Sequence, residues 1–366
     1  MAANDVLFEP FTLNGLELPN RIVMAPMTRS FSPGKVPGPD VAAYYQRRAE
    51  GDVGLILTEG VHPNVTTAEG TPNVPTISTP EAQDAWAKVV EGVHKAGGRI
   101  AMQLWHEGPM RKPENSTASE MESWSPSGFN IPGKPKWSPM SEDEIEQAIE
   151  EFVAAAVAAK DAGFDGVEFH GAHQYLIDSF FWDKINIRDD KWGGDWEGRT
   201  RLACEIIRRT RAKVGADYPL IIRISQWKQI DFDAKTAQTP EEFGTWLGFL
   251  KDAGIDCLHC SQRRFWEPAF DGSPLNSAGW AKKLTGLPTI AVGSVGLSGE
   301  FVAAYQGEAS EPASLDRLTE MMANEEFDLI AVGRALLQDP KWVQKIREGR
   351  DHELKTFTKE ALGKLY

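Results

Sequence analysis

Short, continuous apolar runs alternate along the chain with longer segments whose apolar positions recur at helical spacing. The runs are "RIVMAP" (21–26), "GLILTEG" (54–60), "RIAMQLW" (99–105) and "GVEFHGA" (166–172), then "LIIRIS" (220–225), "CLHCS" (257–261), "TIAVGS" (289–294) and "LIAVGR" (329–334). Most are apolar throughout rather than alternating, the pattern of parallel strands covered on both faces. Between them, "TPEAQDAWAKVVEGVHKAGG" (79–98) opens on Thr79-Pro80 and closes on glycines, a helix start and stop. In "SEDEIEQAIEEFVAAAVAAKDAG" (141–163), Ser141 stands three residues before Glu144 as a capping box, and "TPEEFGTWLGFLKDAG" (239–254) repeats the first plan. Eight strand–helix alternations predict a single α/β domain over 1–366, a (β/α)8 TIM barrel with an N-terminal lead-in. Residues 106–140, rich in Pro, Ser and Trp, break the rhythm. They follow the third strand, so they are expected as a loop insertion rising over the carboxyl face, where long loops are commonly functional. Residues 262–276, with Phe265, Trp266 and Phe270, are expected to form another wall.

Composition narrows the function classes. At 366 residues and 41% hydrophobic, the chain can bury one large barrel core. Acids outnumber bases 53 to 39, for a net charge of −14. That balance argues for a soluble protein and against a nucleic-acid surface, which needs clustered positive charge. The start, "MAANDVLFEPF", lacks the cationic and apolar regions of a signal peptide, and no apolar run approaches membrane-spanning length. Three cysteines suit a reducing cytosol, so a cytoplasmic location is expected, as a monomer or homodimer. Cys257 and Cys260 spell C-x-x-C, but within a strand residues three apart face opposite ways, so both read as core filling.

The chemistry of such a barrel sits where its strands end. There the chain places Pro26-Met27-Thr28, Thr58-Glu59-Gly60, Gln103 and Trp105, His170, His173 and Tyr175, Arg223, Gly293-Ser294, and Gly333-Arg334. Glycine-containing turns after the seventh and eighth strands, with the planar cation of Arg334, suit a phosphate; two ordinary turns are the plainer alternative. Two of only seven histidines stand three apart at His170 and His173, just before Tyr175. A metal needs at least three ligands, and neither H-x-H nor H-E-x-x-H completes a set, so no metal is expected. Trp105 and Trp266 are candidate walls for a substrate.

In these residues the chain resembles the old yellow enzyme family of FMN-dependent ene-reductases along nearly its whole length. The resemblance rests on "LPNRIVMAPMTR" (18–29), "YYQRRAEGDVGLILTEG" (44–60), "MQLWHEG" (102–108), "AGFDGVEFHGAHQYLIDSFF" (162–181), "NIRDDKWGGDWEGR" (186–199), "AVGSVGL" (291–297) and "AVGRALLQDP" (331–340). It implies bound FMN, NADPH or NADH as electron donor, and an activated alkene (enone, enal, maleimide or nitroalkene) as acceptor. It further implies that Gln103 bonds the flavin's pyrimidine edge and Arg223 faces the N1–C2 carbonyl region, where charge collects on reduction. Thr28 would bond the flavin O4, with backbone contacts from Pro26, Met27 and Gly60. Gly293, Ser294, Gly333 and Arg334 would hold the phosphate. His170 and His173 would clamp the substrate oxygen, and Tyr175 would protonate the α-carbon. Gln174 stands where glycine is common in the family. Some larger members append an iron–sulfur segment; with no cysteine cluster, the chain is not expected among them. A metal-dependent barrel hydrolase and a flavin-binding sensor or storage protein are the competing classes.

Overall fold

The computed structural model describes residues 5–299 and 307–366. Eight strands form a closed barrel: β1 (Ile22–Met24), β2 (Leu55–Val61), β3 (Ile100–Leu104), β4 (Gly166–Gly171), β5 (Leu220–Ser225), β6 (Cys257–Ser261), β7 (Thr289–Val292) and β8 (Leu329–Val332). They pair in parallel in chain order, and β8 closes on β1. All eight apolar runs are strands. Run seven ends early because Gly293, at φ 139°, and Ser294, at φ 51°, turn the chain out of the sheet, and run eight ends at Gly333, which caps the helix Arg334–Gln338.

Alternation along each strand divides the core in two. Val23, Leu57, Ala101, Ile221, Ile290 and Ala331 fill the barrel interior, while residues such as Ile56, Met102, Phe169 and Ile222 pack outward under the helices. Cys257 belongs to the inner cluster and Cys260 to the outer one, as their spacing requires, and both are free thiols. A hairpin, Phe11–Leu13 against Leu16–Leu18, inserts Leu13 and Leu18 into the inner cluster and closes the end where the strands begin. The opposite end is left for polar side chains.

The helix signals take the form the sequence predicts. The Thr79 side chain accepts from Ala82 N, Thr239 accepts from Glu242 N, and Ser141 and Glu144 form the reciprocal box. Each such cap contributes about 1 kcal/mol. The 106–140 insertion is ordered by a buried cation: Arg111 donates to the carbonyls of Glu69 (2.7 Å), Met121 (2.7 Å) and Ala118 (2.8 Å). Its distal part is a small hairpin, Phe129–Ile131 with Lys134–Pro135. Among the described residues no helix is long and apolar enough to cross a membrane.

Candidate active site

Inward-facing positions at the strand ends build a polar layer inside the barrel mouth. Glu168 and His170, two apart on β4, share a face, and register sets Gln103 beside Glu168 and Arg223 between His170 and His259. Gln103 Nε2 donates to Glu168 Oε1 at 2.8 Å, and Glu168 Oε2 lies 2.6 Å from His259 Nδ1. Arg223 contacts Ser261 Oγ at 3.4 Å, while its Nε is buried without a hydrogen-bond partner. Burial pulls the Arg223 guanidinium below the ordinary arginine range, and Glu168 opposes that shift.

The turn after β4 presents the histidines and the tyrosine. His173 (φ 63°) and Gln174 (φ 69°) are consecutive left-handed residues. The conformation is held by His173 N donating to Ser225 Oγ at 2.9 Å and Gln174 N donating to Asp178 Oδ2 at 2.6 Å. The Gln174 side chain donates to Asn130 O, tying the hairpin of the insertion to this turn. Tyr175 then precedes the short helix Leu176–Phe181. Its ring stands edge-on to Trp105 at 4.9 Å and to His170 at 4.8 Å, and the two imidazoles are 5.2 Å apart.

Both imidazoles titrate well below the ordinary histidine range, through burial first and then the Arg223 cation. Each is therefore neutral near pH 7 and carries a single N–H. His170 Nδ1 accepts from Ala172 N at 3.4 Å, which leaves its proton on Nε2. His173 Nε2 lies 2.8 Å from Ser261 Oγ.

A cavity beside this layer is lined by Pro26, Met27, His173, Arg223, Gly293, Ser294, Gly333 and Arg334. A Cβ at Gly293 would come within 2.5 Å of Gln262 O, and one at Gly333 would meet Met27 Sδ at 3.4 Å, so side chains at these turns would crowd the wall. Arg334 is buried, bonded to Gly299 O (2.8 Å), Ser310 Oγ (3.3 Å) and Ser294 Oγ (3.4 Å). Gly60 and Trp105 interlock: a Cβ on Gly60 would lie 2.5 Å from the indole. Thr28 is exposed on the rim beside Met27.

Trp266 is not brought to the cavity. It is half-buried, its ring edge-on to Phe265 at 5.0 Å and packed on the outer core. The aromatic wall comes instead from the loop after β5, where Trp227 stacks on His173 at 4.3 Å and Phe232 lines the cavity. Sequence reading also missed Glu168, Ser225, His259 and Ser261. The i, i+2 spacing of Glu168 and His170 within an apolar run was the available signal for the first. Among the described residues no group of three or more His, Cys, Asp or Glu side chains is placed to hold a metal.

A closed parallel barrel with donors, a cation and glycine turns gathered at its carboxyl end defines a TIM-barrel enzyme. A family model described as the NADH:flavin oxidoreductase / NADH oxidase family matches residues 6–353. A NADH oxidase from Thermoanaerobacter brockii is 33% identical over 360 residues, covering 95% of this chain and 52% of that protein, so the chain spans about half its length. The 12-oxophytodienoate reductase 7 of Oryza sativa subsp. japonica is 33% identical over 364 residues, covering 93% of this chain and 87% of that one. Among solved structures, morphinone reductase in complex with tetrahydroNAD superposes with a TM-score of 0.80 at 28% identity, covering 95% of this chain and 92% of that one. An old yellow enzyme homologue from Zymomonas mobilis gives a TM-score of 0.81 at 27% identity, covering 98% and 96%. The chain belongs to the NADH:flavin oxidoreductase family, that of the old yellow enzymes. This is a family of flavin oxidoreductases with FMN as cofactor and NADH or NADPH as reductant.

Proposed function

We propose that the protein is an ene-reductase, reducing the C=C bond of activated alkenes (enones, enals, maleimides or nitroalkenes). The observation that carries this reading is the cluster of His170, His173 and Tyr175, whose rings meet edge to face, with His173 lining a cavity beside the buried Arg223. The residues suit FMN: Arg223 Nε is buried without a partner, and Gly293, Ser294, Gly333 and Arg334 line the same cavity as Arg223. Gln103, held by Glu168, would bond the pyrimidine edge, with Arg223 near N1 and C2, Thr28 toward O4, and Pro26, Met27 and Gly60 as backbone contacts. Gly293, Ser294, Gly333 and Arg334 would take the phosphate. When bound, FMN supplies the hydride, obtained from NAD(P)H.

The protein's own groups prepare the acceptor. His170 offers Nε2–H, and His173 offers Nδ1–H once Nε2 accepts from the Ser261 hydroxyl; together they hold the substrate oxygen. Two fixed donors on a carbonyl or nitro oxygen draw electron density from the conjugated bond and stabilise the charge that develops there. Tyr175, edge-on to His170 and Trp105, gives its phenol proton to the α-carbon.

A substituted phenol tests the clamp without turnover, because its oxygen imitates that of an enone. Binding to the holoprotein should produce a long-wavelength charge-transfer band. His170→Ala/His173→Ala should lose the band while retaining FMN. A band of undiminished strength in that variant would remove the clamp from the reading.

A further inference from the structure

The loop after β5 delivers a side chain to the phenol itself: Gln229 Nε2 lies 2.6 Å from Tyr175 Oη. Nothing in the apolar core holds Gln229, which is exposed. Its neighbour does the holding. Lys228 is fully buried, and its ammonium lies 2.7 Å from both oxygens of Asp178 and from Thr236 Oγ1. Asp178 Oδ2 also accepts from Gln174 N, one residue before the tyrosine. A single buried carboxylate thus fixes both the turn that presents Tyr175 and the loop that presents Gln229. On the other side of Lys228, Trp227 stacks on His173, donates to Ser261 O at 3.2 Å and accepts from Ser225 Oγ at 2.8 Å. Burying two charges costs several kcal/mol unless geometry and extra hydrogen bonds offset it, so such a pair acts as a staple that sets position.

Resting on the reading of Tyr175 as the proton donor, we propose that Gln229 is a positioning residue for the protonation step. Its amide N–H occupies one lone pair of the phenol oxygen and has nothing to accept with, so the phenol hydrogen must point away from that N–H. In the step itself, the Tyr175 O–H bond breaks and a C–H bond forms at the α-carbon, using the electron pair of the enolate. The charge left on the phenolate is met by the Gln229 N–H, a charge-assisted hydrogen bond. Water restores the proton from the exposed Gln229 side.

Tyr175 is faced by, among others, His170 and His173, at 4.8 and 6.4 Å between ring centroids, the Arg223 cation, and Gln229; Lys228 and Asp178 behind it are paired with each other. Changing Gln229 leaves the rest in place. The test uses holoenzyme carrying Gln229→Leu, which deletes the donor, and Gln229→Glu, which keeps the shape but offers only an acceptor near neutral pH. A near-ultraviolet difference titration against Tyr175→Phe reads ionisation of the phenol without turnover. Its midpoint should rise by about one pH unit in Gln229→Leu, the scale of one charge-assisted bond, and further in Gln229→Glu. Reoxidation by a cyclic enone should slow roughly 10-fold in both, its alkaline limb moving up with the midpoint. Reduction by NADPH and reoxidation by a nitroalkene, whose nitronate needs no immediate proton, should stay unchanged. An unmoved midpoint and unmoved enone rate would overturn the proposal. A midpoint that falls would also overturn it, since the amide would then present its oxygen and sequester the phenol proton. If Tyr175→Phe slows the enone step while the Gln229 variants do not, only the Gln229 assignment is lost. If Tyr175→Phe slows nothing, the tyrosine reading falls and takes this one with it.

Discussion

Lys228→Met should destabilise the protein through the charge it strands rather than through any loss of packing. Asp178 and Lys228 are both 0% exposed, and the ammonium makes three contacts of 2.7 Å. Without it, the carboxylate retains only the Gln174 N–H, and removing one partner of a buried pair costs about 3–5 kcal/mol. Burial already holds the Asp178 carboxyl above its ordinary range, so in the variant it can take up a proton, which places the loss near about 3 kcal/mol. For a chain of 366 residues, that lowers the melting temperature by about 4 °C. The sign with pH follows. A carboxyl whose folded pKa lies above its unfolded value favours folding only while protonated, so the gap to wild type should narrow as pH falls. Calorimetry of the holoprotein at pH 8 and pH 5 measures both effects. Asp178→Asn combined with Lys228→Met removes both charges and should recover most of the loss. A single variant melting within a degree of wild type would refute the staple. A double variant as damaged as the single one would show that the unpaired charge is not the cause.

Arg223→Met should weaken FMN retention and lower the flavin's reduction potential, because it deletes the fixed cation inside the barrel mouth; a full complement at an unchanged potential would contradict that placement. Glu59 offers a pH test away from the substrate. Its carboxylate accepts from Arg29 N (2.8 Å) and Ser30 N (3.2 Å), but Oε1 is buried without a partner, and burial pushes its pKa from 4.5 up to about 7. Its stabilising contribution is present below pH 4.5 and lost as pH rises through about 7, a change of about 3 kcal/mol. Glu59→Gln should therefore gain in melting temperature relative to wild type between pH 5 and pH 8; a gap constant with pH would count against a buried, raised carboxyl.

What the sequence disclosed follows from how far each signal travels along the chain. Buried parallel strands must be apolar on both faces, so eight runs stand out, and a polar residue inside one is conspicuous because burying it is costly. Gln103, His170 and Arg223 were legible for that reason, and Glu168 was legible in principle. The turns at Gly293-Ser294 and Gly333-Arg334 were legible because backbone conformation selects local residue types. The loop "QWKQIDFDAKTAQ" (226–238) carries no period, and its place is fixed by Lys228 meeting Asp178 fifty residues earlier in the chain. Gln229 and Trp227 were invisible until that long-range pair was seen. Trp266 errs the other way. An aromatic residue in a loop after a barrel strand suggests a pocket wall, yet tertiary packing sets it with Phe265 against the outer core.

Stopped-flow traces of the two half-reactions in Tyr175→Phe bear most directly on the site. Phenylalanine keeps the ring against Trp105 and His170, so any loss is chemical rather than a cavity effect. Reduction of the flavin by NADPH should proceed nearly as in wild type. Reoxidation by an enone should slow by roughly 10²–10⁴-fold for a lost general acid, while a nitroalkene still accepts hydride at a useful rate. Unslowed enone reoxidation, or equal slowing of both halves, would contradict the assignment of Tyr175 as the proton donor.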